Sequence, residues 1–258
     1  MWTRALLKAN AKTVLRRSYG RVFLACLVTA VLTGGLNINY NFGSTSADPA
    51  VDFFYTVGSA LPGGDVAALI LGTAAVMLGI LAAVLLFILG LLVALLFVPA
   101  VQVGEARYLL RNRGEDPGFG TLFSAFGNGQ YWNVVGVMFW MNLRVFLWSL
   151  LLLIPGIIKS YQYRFVPYLL AENPALDAAR ALEISTAMTD GEKLNIWVLD
   201  LSFFGWHLLG TLLFGLGGLF VAPYTHATEA ELYSALRAKA IASGAVTEAE
   251  LAGPSLYD

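Results

Sequence analysis

Long apolar runs separated by shorter polar segments dominate the chain. The runs cover residues 22–36, 66–101, 132–171, 194–213 and 216–224. Several of them supply the roughly 20 apolar residues that a helix needs to cross the hydrocarbon core of a bilayer. The pattern therefore predicts an all-α fold, a polytopic transmembrane helical bundle.

The strongest run is 66–101, which contains no charged residue. As a single helix it would be about 54 Å long at roughly 1.5 Å per residue, against a hydrocarbon core of about 30 Å. It is too short for two spans and a turn, so it predicts one long helix that is tilted or protrudes. Ala75, Gly79 and Ala83 recur every four residues, a spacing typical of closely packed membrane helices.

Residues 132–171 are harder to interpret, because this apolar stretch contains Arg144, Lys159 and Arg164. It could hold one span followed by a polar loop. It could also hold two helices that are joined near Pro155. In the following segment, Asn173 before a proline predicts a helix start there. Gly191 predicts its end, and a tight turn near Gly215 is predicted between the last two apolar runs.

The first 21 residues carry six basic side chains and no acid: Arg4, Lys8, Lys12, Arg16, Arg17 and Arg21. On a helix, four of them (Arg4, Lys8, Lys12 and Arg16) lie on one face. This predicts an amphipathic helix on an anionic membrane surface. The alternative is an unstructured basic leader that only sets topology. Residues 22–36 are then expected to form an uncleaved first span, and not the core of a signal peptide.

Charge asymmetry predicts the orientation of the first span. Residues 37–65 contain three aspartates and no lysine or arginine, whereas the basic segment precedes the span. Positive charge accumulates on the cytoplasmic side, so the N-terminus is expected to be cytoplasmic. Arg107, Arg111 and Arg113 mark the same side after the long helix.

An internal repeat links residues 96–111 with residues 219–237. Aligning Pro99 with Pro223 also aligns Glu105 with Glu229. If the repeat is parallel, both copies start and finish in the cytoplasm, so an even number of membrane crossings must lie between them. This favours six membrane helices over the alternative of four spans. The expected organisation of this single membrane domain is a basic helix (1–21), a first repeat unit (22–113), a helix pair (132–171), a second repeat unit (173–240) and a polar tail (241–258).

The composition is typical of a membrane protein, and it excludes several other kinds of protein and site. Apolar residues make up 58% of the chain and charged residues 13%, against about 25% charged residues in soluble domains. One cysteine, Cys26, excludes an intramolecular disulfide and a cysteine-based zinc cluster. No aromatic-interleaved basic face occurs outside the N-terminal segment, so nucleic-acid binding is not expected.

Several stretches resemble a known family. These are IPGIIK at 154–159, LDLSFFGW at 199–206, VAPY at 221–224 and EAELY at 229–233. Together with the basic N-terminal segment, they resemble the bacterial integral-membrane family called domain of unknown function 975. The resemblance implies a multi-pass protein of the bacterial plasma membrane and supplies no mechanism. Arg144 and His207 stand where that family usually has apolar residues.

Three ionisable residues inside apolar runs are candidates for chemistry: Arg144, Asp200 and His207. Each costs about 2.5–3.5 kcal/mol at the centre of a membrane helix, so each needs a partner or a role. They could form a polar relay or a substrate site, or Asp200 and Arg144 could be a structural ion pair. The repeat-matched Glu105 and Glu229 could bind a cation or a lipid amine, although a solvated helix face is the simpler interpretation.

Enzyme motifs are absent from the sequence: there is no HExxH, no GxSxG and no Walker A segment. We therefore expect no catalytic activity, no cofactor and no metal site. The predicted function is a non-enzymatic membrane module with cytoplasmic termini that interacts with anionic lipids or with protein partners, including a second copy. The alternative is a small transporter or channel with a polar site near Arg144, Asp200 and His207.

Overall fold

The structure, a computed structural model, describes residues 2–33, 66–127, 129–212 and 217–252. Within these residues the regular structure is entirely helical, which confirms the predicted all-α class. The chain divides into two compact units, one of residues 37–94 and one of residues 1–36 and 95–258. The predicted outer loop 37–65, the turn near Gly215 and the last six residues lie outside the described part.

The helices follow one another along the chain with short links. They are α1 (Arg4–Leu32), α2 (Val66–Asn112), a 3₁₀ helix (Phe119–Phe123), α3 (Ser124–Gly127), α4 (Tyr131–Leu151), α5 (Leu153–Gln162), α6 (Val166–Glu172), α7 (Ala178–Thr189), α8 (Lys193–Leu212), α9 (Gly217–Ala242) and α10 (Glu248–Ala252).

Helix α1 joins the predicted basic helix and the predicted first span into one element. Thr3 caps its start by accepting a hydrogen bond from the backbone N–H of Leu6. Non-helical dihedral angles at Ser18 kink the helix between its two parts. Leu7, Ala11 and Leu15 recur on one buried face, so the basic half packs against other helices and does not stand apart from them.

Helix α2 confirms the prediction of one long helix across the uncharged run. Its 47 residues correspond to about 70 Å. Residues 66–94 belong to the smaller unit, where the large side chains from Met77 to Val93 are exposed. Residues 95–112 belong to the larger unit. There Gly104 touches the backbone of the 3₁₀ helix, and a methyl group at this position would overlap the carbonyl of Leu122.

The ambiguous middle of the chain forms two successive helices in a hairpin, α4 and α5. The break lies at Leu152, whose backbone is extended (φ −155°, ψ 135°). Pro155 follows in the first turn of α5, where a missing N–H removes no intrahelical hydrogen bond. Gly156 brings the two helices together, because a side chain there would overlap Ser149. Residues 132–171 thus contain a helix break near Pro155. α4 has the length and composition of a membrane span, whereas α5 has ten residues.

The helix expected from Asn173 begins later, so this predicted start is wrong. α7 starts at Ala178, and Asp177 is the residue that caps it. Asn173 is held outside the helix because its amide donates to the Glu250 carbonyl, while its side-chain oxygen accepts from Ala175. The predicted end is correct, since Gly191 follows α7 with a positive φ of 73°.

The larger unit contains the buried core. α1 packs along α9, α9 packs along α8, and α7 packs against α4, α5 and α6. The predicted polar tail is partly folded into this core: Val246 and Leu251 are buried, and α10 contacts α6. The sequence predicts only a polar tail, because its buried apolar positions are too few to give a pattern.

Two helices of the described part are long and apolar enough to cross a membrane. They are the segment Gly72–Asn112 of α2 and the helix Tyr131–Leu151, which is α4. This criterion concerns length and composition only. It agrees with the predicted membrane association of the chain.

Candidate functional site

Arg164 lies in the link between α5 and α6 and binds two carboxylates at once. Its Nε donates to Glu229 Oε1 at 2.6 Å, and its Nη1 donates to Asp200 Oδ2 at 2.5 Å. Tyr161 donates its hydroxyl to the same Asp200 oxygen at 2.9 Å. Hydrogen bonds between charged groups are roughly twice as strong as neutral ones. This cluster therefore holds α5, α8 and α9 together.

A cavity of about 420 Å³ lies between α1, α2, α8 and α9. No lysine or arginine is found among the described residues of its lining. Small residues of α9, Gly218 and Ala222, leave the space open. The polar side chains that line it are Cys26, Thr29, Thr33, Gln102, Glu105, His207 and His226.

Among the described residues that line this cavity, Glu105 is the one acid. Glu105 keeps 8% of its surface exposed, and its Oε1 lies 3.7 Å from Nδ1 of His226. That separation is too long for a hydrogen bond, so the two groups interact only through their charges when the imidazole is protonated. Cys26 and Glu229 are near enough to Glu105 to interact with it electrostatically.

A carboxylate removed from water needs a proton, a cation or hydrogen-bond donors to offset its lost hydration. The cavity beside Glu105 has the space for a small ligand that supplies them. Within the described ranges, no three His, Cys, Asp or Glu side chains are grouped as a metal site would require. The chemistry that the arrangement supports is therefore the binding of a proton or of a small positively charged group.

A family model described as "Protein of unknown function (DUF975)" matches residues 73–240. The chain belongs to this family. The matched region contains Glu105, Arg164, Asp200 and His226, whereas Cys26 and the basic part of α1 precede it. The chain matches no curated protein and no solved structure. Membership of the DUF975 family confirms the resemblance seen in the sequence and assigns no activity.

In this DUF975 chain, the three predicted intramembrane candidates lie in three different places. Asp200 belongs to the Arg164 cluster, and His207 lines the Glu105 cavity with its Nε2 3.4 Å from the hydroxyl oxygen of Thr225. Arg144 lines a separate groove of about 400 Å³ on the α4 and α7 side. The proposed pair of Asp200 and Arg144 is wrong, because Arg164 occupies the position of the cation.

The two repeat-matched acids of the DUF975 chain do not form a solvated helix face. Glu105 is buried beside the cavity, and Glu229 accepts a hydrogen bond from Arg164. Both side chains therefore lie on the more buried side of their helices. The structure brings the pair close enough to interact electrostatically.

The six basic residues of α1 are distributed over several contacts. Lys8 donates to Ser202 at 2.7 Å and lies over the ring of Phe203. Burial lowers the pKa of Lys8, and the neighbouring charges of Arg4 and Lys12 lower it further. Arg17 donates to the carbonyls of Asn112 and Glu115, and Arg21 pairs with Asp116. Arg4, Lys12 and Arg16 are exposed.

Sequence reasoning missed Arg164, Tyr161 and His226. Arg164 carries the same signal as Arg144, since both interrupt an apolar stretch, and the sequence gives no reason to prefer it as the partner of Asp200. His226 lies three residues before Glu229 and is one of two histidines in the chain. Its position on the same helical face as that acid was the available signal.

Proposed function

We propose that the chain is a multi-pass, non-enzymatic module of the bacterial plasma membrane that binds anionic lipid at its cytoplasmic face. The tip of the α4/α5 hairpin carries the proposal. Five consecutive apolar residues, from Leu150 to Ile154, each expose between 62% and 74% of their surface. In water such a patch would be unfavourable by roughly 25 cal/mol per Å² of apolar surface. The hydrocarbon interior of a bilayer removes this penalty.

Six membrane helices built on an internal repeat are part of the proposal. The helices α2 and α9 each contain an internal proline, Pro99 and Pro223. In both, the carbonyl three residues earlier accepts a tyrosine hydroxyl: Tyr131 donates to Leu96 at 2.9 Å, and Tyr19 donates to Phe220 at 3.1 Å. The same hydrogen bond, from a tyrosine hydroxyl to the carbonyl three residues before the proline, supports a common origin of the two repeat units.

A shared cytoplasmic location of both termini is also proposed. The amide of Asn10, near the start of α1, lies 3.4 Å from a carboxylate oxygen of Glu231 in the second half of α9. Arg113, at the end of α2, donates to the same carboxylate at 2.6 Å. These contacts gather the basic N-terminal segment, the end of α2 and the C-terminal part of the chain, which supports one side for all three.

The basic face of α1 supplies the proposed lipid contact. A groove of about 340 Å³ is lined by Lys12, Leu15, Arg16, Tyr19 and Tyr224. The two cations at its edge suit a phosphate, and the apolar and aromatic walls suit the adjoining acyl chain. Each basic residue near an anionic surface contributes about 1 kcal/mol.

Two leucines with equal exposure test the membrane assignment. Leu147 in α4 and Leu6 in α1 each expose 52% of their surface. Leu147→Asp is expected to lower the amount of membrane-integrated protein strongly, because an aspartate in hydrocarbon costs about 2.5–3.5 kcal/mol. Leu6→Asp should be tolerated. Extraction of isolated membranes at alkaline pH measures integration, and equal tolerance of both variants would contradict the proposal.

The lipid contact is tested separately. In nanodiscs, the thermal midpoint of the purified chain should be higher with phosphatidylglycerol than with phosphatidylcholine, because a ligand that binds the folded state stabilises it. Arg16→Gln should reduce this difference, whereas Lys193→Gln, at the start of α8, should leave it nearly unchanged. An equal midpoint in both lipids would remove the anionic-lipid partner from the proposal.

A small transporter or channel is the second candidate. The Glu105 cavity favours it, because this space lies where the two proposed repeat units meet and contains His207. Uptake of radiolabelled methylammonium into proteoliposomes would support this candidate. Uptake equal to that of protein-free liposomes would exclude transport of this solute and favour the non-transporting module.

A further inference from the structure

We propose that the cavity between α1, α2, α8 and α9 binds a primary ammonium group, with Glu105 as its counter-charge. The group could belong to a small soluble amine or to the headgroup of an aminophospholipid. The inference goes beyond the proposed membrane module and requires neither transport nor the anionic-lipid groove on α1.

The size of the cavity suits such a ligand. Its volume of about 420 Å³ lies in the usual range of small-molecule sites. Gln102 at its edge is exposed, so the space reaches the surface beside α2. Leu27, Ala30 and Leu219 give the cavity apolar walls next to its polar groups, as a headgroup with short carbon links would need.

The lining is rich in hydrogen-bond acceptors. The hydroxyl of Thr29 donates to Ala25, and that of Thr33 donates to Thr29. Their donor hydrogens are therefore used within α1, and their oxygens keep lone pairs for a ligand. When ionised, the Glu105 carboxylate accepts only, and a neutral His226 imidazole offers one acceptor nitrogen. An ammonium group with its three N–H donors complements this set.

The ionisable groups that face Glu105 also favour a cation. α1 contributes the thiol of Cys26, α8 contributes His207, and α9 contributes His226 and, farther away, Glu229. The charge of Glu229 is offset by Arg164. With neutral imidazoles, the part of the lining that the structure describes holds one carboxylate and no permanent positive charge.

An ammonium ion fits the site better than a divalent metal. Divalent ions take several carboxylate, imidazole or thiolate ligands at once, and the described residues contain no group of three such side chains placed for one. A monovalent ammonium is satisfied by one carboxylate and neutral acceptors. Tetramethylammonium, which has no N–H donor, serves as the matched probe.

Binding is tested with the full chain in phosphatidylglycerol–phosphatidylcholine nanodiscs that contain no aminolipid. Isothermal titration with ethylammonium at pH 7.5 should give saturable binding, and tetramethylammonium should bind much more weakly. Glu105→Gln should weaken the binding of ethylammonium about tenfold or more, because a charge-assisted hydrogen bond is lost. Glu248→Gln, whose side chain is 78% exposed in α10, should change it less than about twofold.

A second variant keeps the test informative if Glu105→Gln does not fold. Ala222→Leu fills the cavity from α9 and keeps every charge, so it should also abolish binding. Circular dichroism identifies variants that fold. Undiminished ethylammonium binding in folded Glu105→Gln or Ala222→Leu would overturn the proposal.

A further experiment distinguishes a lipid headgroup from a soluble amine as the natural ligand. Native mass spectrometry of the chain in mixed lipid should show retained phosphatidylethanolamine, lost in Glu105→Gln, if a headgroup is the natural ligand. Ethylammonium binding without retained phosphatidylethanolamine would point to a soluble amine. If the chain neither bound ethylammonium nor retained phosphatidylethanolamine, the inference would be contradicted. The membrane assignment would stand, because alkaline extraction tests it separately.

Discussion

Arg164 and Asp200 form a salt bridge in which Nη1 lies 2.5 Å from Oδ2. The arginine follows α5, and the aspartate lies in the first half of α8, so the pair joins two helical segments that are 36 residues apart in sequence. Their side chains are about one quarter exposed. The bridge replaces the water that both charges would otherwise need at this helix contact.

A double-mutant cycle tests this bridge. Asp200→Asn should lower the free energy of unfolding by about 1–3 kcal/mol, because it removes one partner of a largely shielded pair. Combined with Arg164→Gln, its effect should be clearly non-additive, since both variants remove the same bond. Thermal or denaturant unfolding in detergent gives the free energies.

Arg144 provides the matched control for that cycle. Arg144→Gln and Asp200→Asn should be additive within about 0.5 kcal/mol, because Arg144 lines another groove. A coupling energy between Arg144 and Asp200 as large as that between Arg164 and Asp200 would contradict the arrangement.

Gly104 should tolerate no side chain. Gly104→Ala places a methyl group 2.6 Å from the backbone carbonyl carbon of Leu122, so it should destabilise the protein by about 1–3 kcal/mol or more. Gly136→Ala in α4 is the control, because nothing lies within 4 Å of the added methyl group. The control should be neutral or should stabilise by up to about 1 kcal/mol through helix propensity. Equal thermal midpoints would exclude the close contact between α2 and the 3₁₀ helix.

Docking of α10 should depend on acid pH. Arg180 donates to both carboxylate oxygens of Glu250, at 2.6 and 3.1 Å, and these bonds lower the pKa of Glu250 against the opposite effect of burial. The stabilisation is complete above the unfolded pKa and is lost as the pH falls through the lower, folded value. Docking should therefore weaken below about pH 4.

A fluorescent probe at Ala249→Cys in a Cys26→Ala background reports this docking through its anisotropy. The anisotropy should fall on acidification in the parent chain. Adding Glu250→Gln should lower it at neutral pH and abolish most of the acid response. A response of the same size in the Glu250→Gln chain would assign it to another group.

The fold class was predictable because apolar runs of this length leave few alternatives to helices. The long helix over 66–101 and the helix pair in 132–171 followed from charge, length and one break at a proline and a glycine. The partner of Asp200 was not predictable in the same way. Arg144 and Arg164 both interrupt apolar sequence, and only the turn at Leu152 and the break after Gln162 decide which of them reaches α8.

The start of α7 shows a second limit. Asn173 and Asp177 are both good capping residues, and the sequence favoured the first because Pro174 follows it. The choice is made by a tertiary contact, in which Asn173 donates to the backbone of Glu250. The cavity beside Glu105 was likewise invisible, since it depends on how four helices meet.

The topology of the chain is the most direct test of the account. In a Cys26→Ala background, single substitutions Ala9→Cys, Ser46→Cys and Ala249→Cys are labelled with a membrane-impermeant maleimide. In intact bacterial cells only Ser46→Cys should be labelled, and all three should be labelled after the membrane is permeabilised. Labelling of Ala9→Cys or Ala249→Cys in intact cells, or failure of Ser46→Cys to label before permeabilisation, would contradict a multi-pass protein with both termini in the cytoplasm.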